Sequence, residues 1–149
     1  MPCVPLGHPV PDIADVRGVR LIELALITGG NGSLVVGERP AQLPFAAQRI
    51  FTLYGIPEGE VRGIHAHRVC EQFLICLNGS VTAVVDDGST RAEVLLDRPS
   101  LGLYMPAMTW GTQHRYSSDA ILLVLASHAY DADDYIHDYA EFRRLTTAS

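Results

Sequence analysis

From Val16 onward the chain is a succession of short apolar runs rich in Val, Ile, Leu and aromatic residues, separated by Gly, Pro, Asn and Asp. That punctuation predicts strands near Arg20–Leu26, Ser33–Glu38, Arg49–Tyr54, Gly63–His67, Gln72–Leu77, Val81–Asp86, Ala92–Leu96, Gly102–Met105, Gln113–Tyr116 and Ala120–Ser127. Many short strands at this spacing suggest a sandwich or barrel. Asn78-Gly79, between Gln72–Leu77 and Val81–Asp86, predicts a tight hairpin, because both residues tolerate positive φ. Asp86-Asp87-Gly88 predicts a second turn. Alternation within Gln72–Leu77 puts Gln72, Leu74 and Cys76 on one face and Phe73, Ile75 and Leu77 on the other. Both faces are largely apolar, as in a strand covered on both sides.

The two ends differ from this pattern. Four prolines in the first fifteen residues predict an irregular arm. Asp131-Ala-Asp-Asp opens a helical stretch that should run to about Leu145, with acids in its first turn and Arg143-Arg144 in its last, matching the helix dipole. Tyr135, Tyr139 and Phe142 fall at i, i+4 and i+7 and would form its buried stripe. The expected architecture is a single all-β domain over residues 1–149 with a short C-terminal helix.

Composition narrows the function. The chain has 149 residues, 48% hydrophobic, with a net charge of −6, and all eleven basic residues are Arg. Without lysine there is no Schiff-base chemistry and no P-loop. An acidic chain lacks the basic face that nucleic-acid binding needs. Cys3, Cys70 and Cys76 form no disulfide framework and no CxxC zinc pair, which fits reduced thiols in the cytoplasm; Cys76 reads as a small buried hydrophobe. The N-terminus has no signal-peptide pattern, and no run approaches the roughly 18 apolar residues of a membrane span.

The densest polar cluster is Arg62-Gly63-Ile64-His65-Ala66-His67-Arg68. On a strand, His65 and His67 face the same way, which suits a metal site or a proton-transfer site. The neighbouring cations Arg62 and Arg68 should depress the imidazole pKa values and keep the rings neutral. Gly59 and the His65-Ala66-His67 triplet resemble the first motif of the cupin superfamily. The usual carboxylate ligand falls at Gln72 rather than Glu71, and strand alternation aims only one of these two inward. Gly111 stands where the second motif would supply a further histidine, so the metal set is incomplete and no metal or cofactor is expected.

A narrower resemblance rests on several blocks in order. RGIHAHR, CLNGSV, VDDG, LGLYMPAMTW and LLVLASHAYDADDYIHDYAEF are together similar to the sugar 3,4-ketoisomerases, over about Arg20 to Phe142. The resemblance implies a cupin jelly roll, usually a homodimer with exchanged N-terminal strands, acting without metal on a TDP-linked 4-keto-6-deoxyglucose. It carries the catalytic pair onto His65 and His67, and it implies that the tail block packs structure. The family's Asp-x-Arg-Gly stretch is replaced by Gly29-Gly30-Asn31-Gly32-Ser33, which leaves the C4 configuration of the product open.

Moving a ketone from C4 to C3 needs a base near neutrality and donors for an oxyanion, and no redox group. Candidate substrate contacts are Arg62 as an anchor, Gln72 in the place of the lost carboxylate, His114, and Arg49 and Arg68 for the diphosphate. Tyr54, Tyr104 and Trp110 suit ring contacts or packing equally well. The alternatives are a nucleotide-sugar 3,5-epimerase, a non-catalytic sugar-binding cupin, and a metal-dependent cupin oxygenase.

Overall fold

A computed structural model describes residues 13–147. Most of the expected irregular arm lies outside the described residues, as do Cys3 and His8. Twelve strands follow in order: β1 (Arg20–Glu23), β2 (Ala25–Gly29), β3 (Gly32–Val36), β4 (Arg49–Tyr54), β5 (Arg62–His67), β6 (Gln72–Asn78), β7 (Val81–Asp86), β8 (Arg91–Leu96), β9 (Leu101–Met105), β10 (Trp110–His114), β11 (Ile121–Ala126) and β12 (Tyr135–Ile136). One α-helix, α1 (Tyr139–Thr147), ends the described residues. The first five-stranded sheet has the order β1-β9-β6-β11-β4, the second β12-β5-β10-β7-β8, and β2-β3 form a separate hairpin. All the pairings are antiparallel. The all-β expectation with a short C-terminal helix holds.

The alternation read for β6 is realised on both its faces. Leu74 and Cys76 enter the main core with Val81, Ala83 and Val85 of β7, Leu101 and Leu103 of β9, and Leu122 and Val124 of β11. Phe73 and Ile75 enter a second cluster with Leu24 and Phe45 on the other side of the first sheet. Cys76 is fully buried, and burial pushes its thiol pKa up. Gly102 is tied to this packing: a Cβ there would overlap the Phe73 ring. Gly102→Ala is therefore expected to destabilise the fold by about 1–3 kcal/mol through overpacking, read as a lower urea midpoint at unchanged m-value.

Two expectations need correction. The Asn78-Gly79 turn exists, with Gly79 at φ 68°, but it does not make a hairpin. β6 pairs with β9 and β11, whereas β7 pairs with β10 and β8. The turn carries the chain from one sheet to the other, because its groups are held by the loop after β10. Ser80 N–H donates to Ser117 Oγ, Ser117 N–H donates back to Ser80 O, and Asn78 Nδ2–H donates to Asp119 O. The Asp86-Asp87-Gly88 turn does connect a paired hairpin, β7-β8.

The helix expected from Asp131 begins later. Asp131 caps only a 3₁₀ turn at Ala132–Asp134. Tyr135 and Ile136 then run extended and pair with His67 and Ala66 of β5. Helical geometry is lost here because Asp134 is pinned from outside, by the backbone N–H groups of Val69 and Cys70. Phe142 is buried against Trp110 as expected, whereas Tyr139 meets the Trp110 ring but stays exposed, its hydroxyl donating to Asp86 Oδ2. Tyr135 leaves that stripe. Smaller shifts occur at Leu24, whose N–H donates to Ser100 O and separates β1 from β2, and at β10, which starts at Trp110 instead of Gln113.

Candidate active site

β5 carries the site, and a bulge shapes it. Gly111 of β10 opposes His65, but Thr112 opposes Gly63, so Ile64 is the extra residue. Gly63 and Ile64 both have positive φ, 82° and 60°. For a β-branched residue this is a strained backbone. Strict alternation would turn Arg62 away from His65. The bulge instead lets Arg62, Gly63 and His65 line one cavity of about 130 Å³.

That cavity has two unlike walls. β5, β10 and β12 of the second sheet supply Arg62, Gly63, His65, Gly111, Gln113 and Tyr135. Phe51 and Leu53 of β4, Leu74 of β6, Met105 of β9 and Val124 of β11 supply a hydrocarbon wall from the first sheet. Gln72 of β6 is the polar group on that side, and it is turned to the histidines: its Nε2–H donates to His67 Nε2 across 3.3 Å. Glu71, its neighbour, points away and accepts a hydrogen bond from the Tyr104 hydroxyl. Of the two candidates for the carboxylate position, the inward one is Gln72.

The partners of the two imidazoles assign their tautomers. His65 Nδ1 lies 2.9 Å from Gly63 O, which can only accept, so this nitrogen carries the proton. His67 Nδ1 lies 2.9 Å from Asp134 Oδ2 and likewise donates. Both Nε2 atoms are then bare in the neutral rings, and they stand 3.1 Å apart. His67 is 5% exposed, behind His65 as seen from the cavity. A proton taken up by His65 Nε2 can be shared with His67 Nε2, whose ring is braced by the Asp134 carboxylate.

Burial is the main cause that lowers the pKa of both histidines; the Gly63 carbonyl works against it at His65 and the Asp134 hydrogen bond at His67. The expectation that Arg62 and Arg68 keep the rings neutral is corrected: the cation acting on His67 is Arg49, and only weakly. Asp134 has its carboxyl pKa lowered. Its burial pushes the other way, and is outweighed by hydrogen bonds from Val69 N–H, from His67 and from Cys70 N–H. His67, Cys70 and Asp134 bring three potential metal-ligand atoms within 4.8 Å. Those of His67 and Asp134 are already hydrogen-bonded to each other, which is the geometry of a relay.

The other candidate residues divide. Arg49 lies beside the site, its guanidinium over the rings of Phe51 and Tyr130. Arg68 turns out to Glu141 at 3.3 Å and is not in the cavity. Tyr54 is on the outward face of β4, 72% exposed, because alternation turns Arg49, Phe51 and Leu53 of that strand to the other face. Tyr104 faces the second cluster, against Phe45 and under the Arg20 guanidinium, with its hydroxyl pKa pushed up to about 12, chiefly by burial. Trp110 is buried with Ala66, Ile136 and Phe142 beneath α1. His114 is on the outer face of β10, 4.0 Å from Glu93. His114→Ala is accordingly expected to keep kcat/KM within about twofold, as surface substitutions away from a site do, in a steady-state assay.

Reading the strands missed Asp134, Tyr135 and Gln113. The acids of Asp131-Ala-Asp-Asp looked like a helix start, and the tail block was assigned to packing. Tyr135 lies 4.8 Å and 4.4 Å, ring to ring, from His65 and His67. His137 stacks on Tyr135 and lies 5.9 Å, ring to ring, from His65.

Fold and site together define a cupin-type barrel whose pocket holds two histidines with their Nε2 atoms 3.1 Å apart. Residues 17–147 match the family described as "FdtA: WxcM-like, C-terminal", and the chain belongs to that family. It is 40% identical over 125 residues to the TDP-4-oxo-6-deoxy-alpha-D-glucose-3,4-oxoisomerase of Aneurinibacillus thermoaerophilus, covering 84% of this chain and 90% of that one. Two solved structures from Campylobacter jejuni are also similar. The TDP-fucose-3,4-ketoisomerase is 35% identical at a TM-score of 0.82, over 87% of this chain and 96% of its own. The TDP-quinovose 3,4-ketoisomerase is 36% identical at 0.82, over 87% and 99%.

Proposed function

We propose that this protein is a sugar 3,4-ketoisomerase that moves the keto group of TDP-4-keto-6-deoxy-D-glucose from C4 to C3. The observation that supports it most is His65 on the cavity wall, its bare Nε2 3.1 Å from His67 Nε2 and Asp134 holding the far side of His67. His65 Nε2 takes the C3 proton, made acidic by the C4 carbonyl. The C3–H electron pair forms the C3=C4 bond and the carbonyl electrons move onto O4. The proton returns to C4, the O3 hydroxyl proton passes to O4, and C3 becomes the ketone. Every atom and electron balances without an oxidant. Arg62 at the cavity and Arg49 beside it would hold the diphosphate or the O4 charge, and Gln72 and Gln113 would offer amides to the sugar hydroxyls.

The acid limb of the reaction follows from the sign of the shift. The base works neutral, and burial holds the His65 pKa below its ordinary 6.5. The kcat/KM profile should therefore be flat at neutral pH and fall only below 6.5. A limb centred above that value would contradict the buried-base assignment.

The homodimer with exchanged N-terminal strands belongs to this proposal. β4 is an edge strand of the first sheet with Ile50 66% and Tyr54 72% exposed, and Leu34 of β3 is 57% exposed. A partner's strand would cover such an edge; a monomeric mass by light scattering would remove this part. The cytoplasmic setting fits a chain in which no described helix is long and apolar enough to cross a membrane.

The test is proton NMR of TDP-4-keto-6-deoxyglucose incubated with the protein in D₂O. A 3-keto product carrying label at C4 supports the reading. Label at C5 would make the protein an epimerase, and an unchanged sugar that still raises the melting temperature would make it a binder.

A further inference from the structure

The two walls of the cavity bear on a question that the relatives leave open. One similar structure is named for fucose and the other for quinovose, 6-deoxyhexoses of opposite configuration at C4, and the chain is 35% and 36% identical to them. Likeness does not choose between these outcomes.

Geometry does, given the ketoisomerase reading on which this inference rests. The groups lining the cavity that can carry or share a proton are His65, Tyr135 and Arg62, all from β5 and β12 on one sheet. His67 lies directly behind His65 on the same strand. The opposite wall is Phe51, Leu53, Leu74, Met105 and Val124, which have no ionisable group. Leu74, Met105 and Val124 are almost wholly buried. Gln72, from that sheet, is an amide already committed to His67.

We infer that proton removal at C3 and proton delivery at C4 take place on the same face of the sugar, and that the product has the galacto configuration at C4. In a D-gluco pyranose the C3 hydrogen points to the lower face, opposite the C5 substituent. A base must approach from below to take it. The proton then returns from that polar wall to the lower face of C4, and the new C4 hydroxyl is left axial on the upper face. Delivery to the upper face, which gives the gluco configuration, needs a donor on the hydrocarbon wall, and that wall has none. The arrangement also places the face bearing the C5 methyl against Phe51, Leu53, Leu74, Met105 and Val124. An apolar wall accepts a methyl there and leaves a 6-hydroxyl without a partner.

The reaction leaves a direct record in the product. The wild-type protein is mixed with TDP-4-keto-6-deoxyglucose, and proton NMR spectra are taken in H₂O from the earliest turnovers. A galacto product has an equatorial H4 and a small H4–H5 coupling. A gluco product has H4 and H5 both axial and a large coupling. A small coupling in the new 3-ketosugar from its first appearance is the expected result. A large coupling, or a mixture present from the start, overturns same-face delivery while leaving the ketoisomerase reading intact. No 3-ketosugar at all removes that reading and this inference with it. A second measurement addresses the wall. TDP-6-deoxyglucose and TDP-glucose differ only by the 6-hydroxyl, and titration calorimetry should show the first binding about 10- to 100-fold tighter. Val124→Thr, nearly isosteric, puts a hydroxyl on the wall and should narrow that ratio; equal affinities for the wild type would show that the methyl does not face this wall.

Discussion

His65→Asn is expected to lower kcat by about 10²–10⁴, the range a positioned general base contributes, while the melting temperature stays near that of the parent. The side chain is half-buried and makes two polar contacts, to Gly63 O and to His67 Nε2. An Asn can keep a donor toward the Gly63 carbonyl but has no lone pair of imidazole basicity to offer the cavity. TDP binding should survive, because Arg62 and Arg49, not His65, are the cations proposed for the diphosphate. The measurement is single-turnover kinetics alongside a thermal melt with and without TDP. Parent-like turnover would remove His65 from the mechanism. His67→Ala should also abolish turnover, since it takes away the ring that shares the proton.

Asp134→Asn has the second-largest expected effect. The two carboxylate oxygens receive three donors: Val69 N–H on Oδ1, and His67 Nδ1–H and Cys70 N–H on Oδ2. An amide has one accepting end, so no rotation satisfies all three. If its NH₂ meets His67, that ring must take the other tautomer and turn a proton toward His65 Nε2. A fall in kcat of about 10²–10⁴ is expected, as for removal of the carboxylate in other His–Asp pairs. The buried mismatch also costs about 1–3 kcal/mol of stability. A purely structural role would give the stability loss alone. The sign of the pH effect separates the two. Asp134 raises the pKa of both histidines, so its loss should move the acid limb to lower pH. An unmoved limb with unchanged kcat would make Asp134 a packing residue.

The strands were legible where alternation and turn residues agreed. β4, β6, β7 and β11 lie within a residue of their expected positions, and only one of Glu71 and Gln72 turns inward, as alternation required, with Gln72 the one that motif spacing pointed to. Partners of strands were not legible. Asn78-Gly79 is a local signal, and what decides that it joins two sheets is a set of hydrogen bonds to Ser117 and Asp119 some forty residues away. His65 and His67 stood out because two imidazoles at i and i+2 share a face. Asp134 and Tyr135 did not, because their roles depend on an extended pairing with β5 that a helical pattern in the sequence outweighed. Tyr104, Trp110, Tyr54 and His114 were chemically suitable but on the wrong faces, and a face is fixed only when register is known. Arg62 was placed by the bulge at Ile64, which parity would have ruled against.

The pinned Asp134 gives the order of synthesis a functional meaning. A chain ending at residue 130 would already contain β1 to β11, hence the whole first sheet and four of the five strands of the second. It would also contain both histidines. What it would lack is the carboxylate that sets the tautomer of His67 and the Tyr135 ring that closes the wall beside it. A nascent or clipped barrel can therefore bury most of its core while its histidines remain unarmed, and reactivity is withheld until about the last eighth of the chain has docked on β5.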